Sequence, residues 1–447
     1  MRLFGSSGIR GVVNVDITPI IVQRFGSALA TIHEGGEIVV GRDTRTTGPM
    51  LEAALSAGIT SCGVDAILVG LLPTPVIAWL TKELGANAGV SISASHNPPE
   101  YNGLKVFNSS GMSLTEKEQT RVEEFMQGGE FGYSLWDSVG SAETVDAAWM
   151  YLDMIQDRVE LNREWRIACD LFCGATSRIA AEAFETVGLR ATMINSHVDG
   201  HFPAGNPEPT MENLRRLGAF MRTTGSQIGF GLDGDGDRMM VVDERGVPVS
   251  GDRLLAAYAG YIIGREGKGM IVTNNSASMC VEDMVEAAGG EVIRVRVGDA
   301  YITEEMKRRG AVFGGEPIGA WILPEVHMCP DGILSALKLL EALEECGQSI
   351  SEFIKEVPEY PIRYERIGVG DKAKVMKSIE ESYKGVFGDI QTVNCVDGLR
   401  IQTPEGWILI RASGTEPLIR LTAEGKSEKA TKAMLERGSQ LVKGASK

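Results

Sequence analysis

A chain of 447 residues is long enough for several domains, each with its own core. Hydrophobic residues make up 43% and charged residues 23%, the balance of a soluble globular protein. The net charge of −16 argues against a general nucleic-acid or membrane surface, and no apolar run approaches the ~20 residues needed to span a bilayer. An anionic ligand would need a locally positive pocket, for which Arg10, Lys105, Arg238 and Arg411 are the candidates. The opening has no leader pattern. The seven cysteines are scattered, and Cys169 and Cys173 lack a second pair to complete a zinc site. Buried free thiols in a reducing, cytoplasmic setting are expected.

Residues 4–11 form a glycine-rich opening with one cation, Arg10; alone it reads as a flexible terminus. Thr18-Pro19 predicts a helix start, Val22, Phe25, Leu29 and Ile32 its apolar stripe, and Gly35-Gly36 its stop. A strand over 38–41, a helix over 50–62, a strand over 66–69 and a helix over 76–84 follow. Arg42-Asp43-Thr44-Arg45, at a strand exit, reads as an ion pair holding a loop rather than as a catalytic group. From Ala88 a buried strand runs to Ser95-His96-Asn97-Pro98-Pro99, where two prolines forbid a ladder. Ser95 and His96 then stand at a strand's carboxyl end, where open α/β sheets hold ligands. With Lys105 further on, a hydroxyl, an imidazole and a cation suit phosphoryl transfer, although Ser-Xaa-Asn-Pro is also ordinary turn chemistry.

Strands over 166–171, 191–195 and 227–232 repeat the alternation with helices, and the last leads into Asp233-Gly234-Asp235-Gly236-Asp237-Arg238. Three like charges this close repel and must be desolvated together. A hard divalent cation resolves the repulsion, and all-oxygen ligands favour magnesium or calcium. A calcium-binding EF-hand loop is the main competitor, but it needs glycine where Arg238 stands and a helix where 239–242 reads as a strand; a solvated acidic loop is the other. Strands over 270–274, 291–297 and 311–313 follow, the last feeding Gly314-Gly315-Glu316-Pro317-Ile318-Gly319. The tail reads as a solvated helix over 372–384, a hairpin over 399–411, a strand over 418–422 and an amphipathic helix over 427–442. The expected fold is α/β: three similar mixed-sheet α/β domains followed by a smaller α+β domain, spanning 1–147, 148–248, 249–359 and 360–447.

The stretch from Ser93 to Lys105 and the Asp233–Arg238 loop resemble the phosphoserine and metal loops of the α-D-phosphohexomutases. Gly314 to Gly319 and Arg411-Ala412-Ser413-Gly414-Thr415-Glu416-Pro417 match two further loops of that family in the same order, so the resemblance covers the whole chain. It implies that Ser95 carries a phosphoryl group and that Mg2+ is held by Asp233, Asp235, Asp237 and a phosphate oxygen on Ser95. It implies interconversion of hexose 6-phosphate and hexose 1-phosphate through a hexose 1,6-bisphosphate, which also serves as activator. Lys105, assisted by His96, would move the proton; Arg238 would hold Lys105 or the phosphate; Arg10 would contact phosphate. Glu316 and Gly319 would meet the sugar, and Arg411, Ser413, Gly414 and Thr415 would clamp a phosphate. The implied partner is a small sugar phosphate, with neither nucleic acid nor membrane, for a monomer or homodimer.

The chain departs from the family pattern in two places. Ser6-Ser7-Gly8 replaces a Tyr-Asp or Thr-Asp opening, so only Arg10 carries over there. Glu316-Pro317-Ile318-Gly319-Ala320-Trp321 replaces Glu-Xaa-Ser-Gly-His. The Pro-Xaa-Gly form is similar to archaeal members assigned to glucosamine phosphate, which makes that the expected substrate, with mannose or glucose phosphate as the alternative. A metal-dependent sugar phosphatase and a non-catalytic sugar-phosphate sensor are the readings from other classes.

Overall fold

The computed structural model describes residues 4–5, 8–413 and 416–446. Arg10 lies in strand β1 (Ile9–Val12), so residues 9–11 of the stretch that alone read as flexible belong to a sheet. Helix α1 (Pro19–His33) is capped by Thr18, whose hydroxyl accepts from the N–H of Ile21; Glu34, left-handed at φ 52°, ends it before the glycines. Then come β2 (Glu37–Arg42), α2 (Gly48–Thr60), β3 (Asp65–Leu71), α3 (Thr74–Glu83), β4 (Ala88–Ile92), β5 (Tyr101–Asn108), α4 (Glu116–Gly128) and β6 (Ala142–Thr144). Their sheet has the order β1-β5-β4-β2-β3-β6. Strands β2, β3 and β4 run parallel, and β5 returns antiparallel to β4 with Lys105 opposite Ser91. Phe25 and Leu29 of α1 and Leu55 and Ile59 of α2 share a core with Val40 and Val90. The two helices meet through small residues. A Cβ on Gly26 would lie 2.5 Å from the Leu55 carbonyl oxygen, and one on Gly58 would run into that of Gln23.

The second stretch contains α5 (Ala148–Arg158), β7 (Arg166–Asp170), α6 (Ala180–Thr186), β8 (Arg190–Ile194), α7 (Leu214–Thr224), β9 (Ile228–Leu232) and β10 (Met239–Val242), with sheet order β10-β9-β7-β8. Strands β8, β7 and β9 are parallel and β10 is antiparallel. Leu214, Leu217 and Met221 on α7 pack against Met240 and Val242, which fixes the two strands that carry the acidic loop.

The third stretch runs through α8 (Gly251–Glu266), β11 (Met270–Asn274), α9 (Cys280–Ala287), β12 (Glu291–Val295), α10 (Asp299–Arg309), β13 (Phe313–Gly315), β14 (Trp321–Ile322), α11 (Gly332–Cys346) and α12 (Ile350–Phe353). Strands β11 and β12 pair parallel, β13 and β14 antiparallel. Gly314 and Gly315, expected in a loop, lie in β13, so the loop begins at Glu316. The tail comprises β15 (Ile362–Gly368), α13 (Lys372–Ser382), β16 (Thr392–Asn394), β17 (Leu399–Thr403), β18 (Gly406–Ala412), β19 (Leu418–Gly425) and α14 (Glu428–Ala445). Its sheet is antiparallel throughout, in the order β15-β19-β18-β17-β16. Helix α13 is not fully solvated as expected: Val375 and Ile379 enter the tail's core.

The expected class, α/β modules followed by an α+β tail, is the observed one. By compactness the chain forms two units: residues 1–254 with 298–356, and residues 255–297 with 357–447. The stretch 249–359 thus contributes to both. All seven cysteines are free; five are buried, whereas Cys346 and Cys395 are exposed, contrary to expectation. Among the described residues no helix is long and apolar enough to cross a membrane.

The α1–α2 contact yields a stability prediction. Gly58→Ala forces a methyl group against the Gln23 carbonyl, and overpacking of this kind costs about 1–3 kcal/mol. Chemical denaturation should show the midpoint falling accordingly; an unchanged midpoint would mean that the helices separate without cost.

Candidate functional site

The connection from β4 to β5 is held by one buried guanidinium. Arg45 places Nε 3.0 Å from Asp43 Oδ2. Its Nη1 donates to the carbonyls of Pro98 (2.6 Å) and Tyr101 (2.9 Å), and its Nη2 to those of Ser95 (2.9 Å) and Asn97 (2.6 Å). The ion pair expected at this strand exit is therefore present, and all five donors of the side chain are used, four of them on one loop. Phe202 closes the far side, its ring centroid 5.0 Å from the guanidinium carbon. Ser93 completes the frame: its hydroxyl donates to Asp43 Oδ2 at 2.6 Å and accepts from the Ser95 N–H at 2.9 Å.

The frame supports a strained residue. Ser95 has φ 51°, a left-handed conformation that costs a non-glycine residue of order 1–3 kcal/mol. Its side chain is buried, with Oγ donating to Asp233 Oδ2 at 2.6 Å and lying 3.3 Å from His96 Nδ1. Arg10, on β1, gives Nη1 to Asn97 Oδ1 at 3.3 Å, while its Nε and Nη2 are buried without a hydrogen-bond partner.

The acidic loop leaves β9 and returns as β10. Its approach to the serine loop depends on glycine: a Cβ on Gly234 would lie 2.5 Å from the Ser95 carbonyl oxygen. Asp233 Oδ1 accepts from the N–H groups of Gly236 (3.0 Å) and Arg238 (3.2 Å). Asp235 Oδ2 accepts from Thr74 Oγ1 at 2.7 Å and meets Lys105 Nζ at 2.7 Å. Lys105 Nζ also pairs with Asp237 Oδ2, and Arg238 Nε stands 3.6 Å from Asp237 Oδ1. Asp235 Oδ1 and Asp237 Oδ1 are buried and accept no hydrogen bond. The three carboxylates each offer an oxygen within 4.8 Å of the others. A buried all-oxygen set with unused lone pairs fits a hard divalent cation such as magnesium. Lys105, placed by β5, is held by Asp235 and Asp237.

Electrostatics follow from this crowding. Burial first, then the charges of Asp237 and Asp235, push the Asp233 carboxyl well above its ordinary range. Burial and Asp235 likewise raise Asp237. Burial would raise Asp235 too, but the Lys105 ammonium, hydrogen bonds from Lys105 and Thr74, and Arg10 together hold it below the usual value. Burial works against the Lys105 charge, yet Asp235 and Asp237 outweigh it and raise the ammonium's pKa. His96 is pushed down to about 3 by burial and by the cations Arg238 and Arg10, so it is neutral at neutral pH.

Glu316 is buried at the start of the β13–β14 connection, where its Oε1 accepts from the Gly298 N–H at 3.1 Å. Gly319, at φ 85°, accepts through its carbonyl from the Met239 N–H at 3.0 Å, and any side chain there would strike the Met239 carbonyl. The Glu316 loop is thereby bonded to the strand that follows the acidic loop. Ser95, His96, Lys105, Arg10, Arg238, Glu316, Gly319 and the three aspartates all belong to the first unit. Arg411 and Ser413 belong to the second. There Arg411 Nη1 pairs with Asp397 Oδ2 at 2.8 Å, and Lys372 Nζ donates to the Ser413 carbonyl at 2.5 Å. Gly414 and Thr415, like Ser6 and Ser7, lie outside the described residues. Thr74 had escaped notice in the sequence; the Pro73-Thr74-Pro75 run signals a helix entry but not the carboxylate that its hydroxyl meets.

A buried serine hydroxyl set on a carboxylate triad, ringed by cations, has the chemistry that phosphate handling requires. Comparison with known proteins agrees. Family models of the phosphoglucomutase/phosphomannomutase α/β/α domains I, II and III match residues 1–132, 150–246 and 250–360, and that of the family's C-terminal domain matches 366–438. A probable phosphoglucosamine mutase of Methanothermobacter thermautotrophicus is 42% identical over 98% of this chain and 96% of its own. The phosphoglucosamine mutase of Methanocaldococcus jannaschii is 39% identical over 99% of each. A crystal structure of a phosphoglucomutase/phosphomannomutase family protein from Burkholderia thailandensis superposes with a TM-score of 0.90 at 27% identity, covering 99% of this chain and 97% of that one. The chain belongs to the phosphoglucomutase/phosphomannomutase family.

The ammonium among the carboxylates can be tested directly. Asp235, held below its ordinary pKa chiefly by Lys105, contributes stability that is present at neutral pH and lost as pH falls through its folded value. Lys105→Met should therefore destabilise the metal-free protein by about 3–5 kcal/mol at neutral pH, as removal of one partner of a buried pair does. The loss should shrink in mild acid, where the abandoned carboxylates take up protons. Denaturation at both pH values, with chelator, checks this; an equal loss at both would assign the effect to packing.

Proposed function

We propose that this protein is a phosphohexomutase that interconverts hexose 6-phosphate and hexose 1-phosphate, with glucosamine phosphate as its preferred substrate. The observation that carries the reading is the 2.6 Å contact of the buried Ser95 hydroxyl with Asp233, beside two buried carboxylate oxygens that accept no hydrogen bond. The names of the archaeal relatives and the Pro317-Ile318-Gly319 loop support the choice of sugar.

In this reading Ser95 carries a phosphoryl group. A sugar hydroxyl attacks its phosphorus, the bond to Ser95 Oγ breaks, and a hexose 1,6-bisphosphate forms. After the bisphosphate turns round, its other phosphoryl group returns to Ser95 and the isomeric monophosphate leaves; added bisphosphate recharges enzyme that has lost its phosphoryl group. Asp233, Asp235 and Asp237, with a phosphate oxygen on Ser95, would hold Mg2+, which supplies charge neutralisation for the transferring group. Arg10, with two unpartnered nitrogens, and Arg238 supply further positive charge. Lys105 handles the proton of the sugar hydroxyl, with neutral His96 beside Ser95. The carboxylates now keep Lys105 charged; once they are committed to a cation, burial is left to oppose that charge and favours a lysine able to accept a proton. Glu316 and Gly319 position the sugar, and Arg411, Ser413, Gly414 and Thr415 clamp the distal phosphate. The expected setting is the cytoplasm.

The test compares glucosamine, glucose and mannose 6-phosphates side by side, with magnesium and the matching bisphosphate. The 1-phosphate should form fastest from glucosamine 6-phosphate, peptide mass spectra should show a phosphoryl group on Ser95, and Ser95→Ala should remove most activity. Inorganic phosphate appearing without any 1-phosphate would make the protein a phosphatase instead. Ile318, exposed in the loop after β13, gives a second test: Ile318→Ser should change the ratio of rates among the three sugars. Fixed ratios would place sugar choice outside this loop.

A further inference from the structure

Thr74, the first residue of α3, joins two loops that lie far apart in sequence. Its N–H donates to the Asp235 carbonyl at 2.8 Å, and its hydroxyl donates to Asp235 Oδ2 at 2.7 Å. The same hydroxyl oxygen lies 2.7 Å from Ser91 Oγ, on the strand that delivers Ser95. Both hydroxyls are buried, Thr74 at 1% and Ser91 at 0% exposure. The direction of this chain can be worked out. An ionised carboxylate only accepts, so the single Thr74 proton points to Asp235, and Ser91 must donate to Thr74. Successive donors polarise one another and strengthen the final bond.

The consequence lies in the carboxylate's two oxygens. Oδ2 is occupied by Thr74 and Lys105, whereas Oδ1 is buried and accepts nothing. We infer that Thr74 is a positioning residue for the metal site: it fixes Asp235 by Oδ2 so that Oδ1 is presented to the cation, in register with the strand that carries the nucleophile. This rests on the reading of the triad as a divalent-cation site. Partners that orient a metal ligand typically govern affinity by about 10- to 100-fold.

The experiment reads cation binding without turnover. Mn2+ is titrated into the full-length protein in the absence of sugar phosphate, and free Mn2+ is followed by its electron paramagnetic resonance signal. Thr74→Val, close in shape but without the hydroxyl, should weaken Mn2+ by about 10- to 100-fold. Thr74→Ser should bind as the wild type does, and Ser91→Ala should weaken binding by a smaller factor than Thr74→Val. A merely structural threonine would lower the unfolding midpoint and leave Mn2+ affinity untouched; that result overturns the inference. If Thr74→Val does not fold, Ser91→Ala decides, because unchanged affinity there breaks the proposed relay. Wild-type protein that binds no Mn2+ would instead overturn the metal reading, a failure visible before any variant is made.

Discussion

Three aspartates share a loop from which water is excluded, and the first unit is built to tolerate that. Asp233 and Asp237 are pushed toward the protonated form by burial and by their neighbours, and Asp235 stays charged because Lys105 sits against it. Neither Lys105 nor Thr74 comes from the stretch that carries the acids: β5 and α3 belong to the first α/β module, whereas the acids leave the end of β9. The cluster can exist only when two modules are folded and joined, and each module is incomplete without the other. Removing a cation or a donor would leave a buried charge without compensation, and the close approach of the loops leaves no room for side chains at Gly234 and Gly319.

A division of labour runs through the carboxylates. On Asp233, Oδ1 is held by backbone N–H groups and Oδ2 by the serine hydroxyl. On Asp235 and Asp237, Oδ2 takes the ammonium and Oδ1 accepts no hydrogen bond. A loop that held its acids by both oxygens would be more stable and could do less. On Asp235 and Asp237 one oxygen fixes geometry and the other is available for chemistry. The sugar loop shares this frame through the Met239–Gly319 bond.

Much of this was legible from residue order. The parallel strands announced themselves as short runs of Val, Ile and Ala between helices, and the alternation of Asp233, Asp235 and Asp237 with glycines announced a crowd of carboxylates at a strand exit. What stayed hidden has common physical causes. Strand β5 carries Lys105 in a buried stretch, a charge that makes sense only beside acids more than a hundred positions away. Edge strand β15 is rich in charge, as edges are, and lacks the apolar alternation that marks an inner strand. The role of Thr74 depends on a partner 161 residues distant, which no local pattern can record.

The grip of Arg45 on the serine loop limits how the protein can handle a ligand with two reactive ends. With four backbone carbonyls and Asp43 bound to one fork, the loop has no spare bond to exchange for another arrangement. Ser95 is a fixed post, not a swinging arm. To bring a second end of any ligand to it, the ligand itself must pivot, and the surrounding walls must leave room for that motion while still shutting out water. Selection for speed would then act on the space around the post, and the post itself would be the part of the molecule least free to drift.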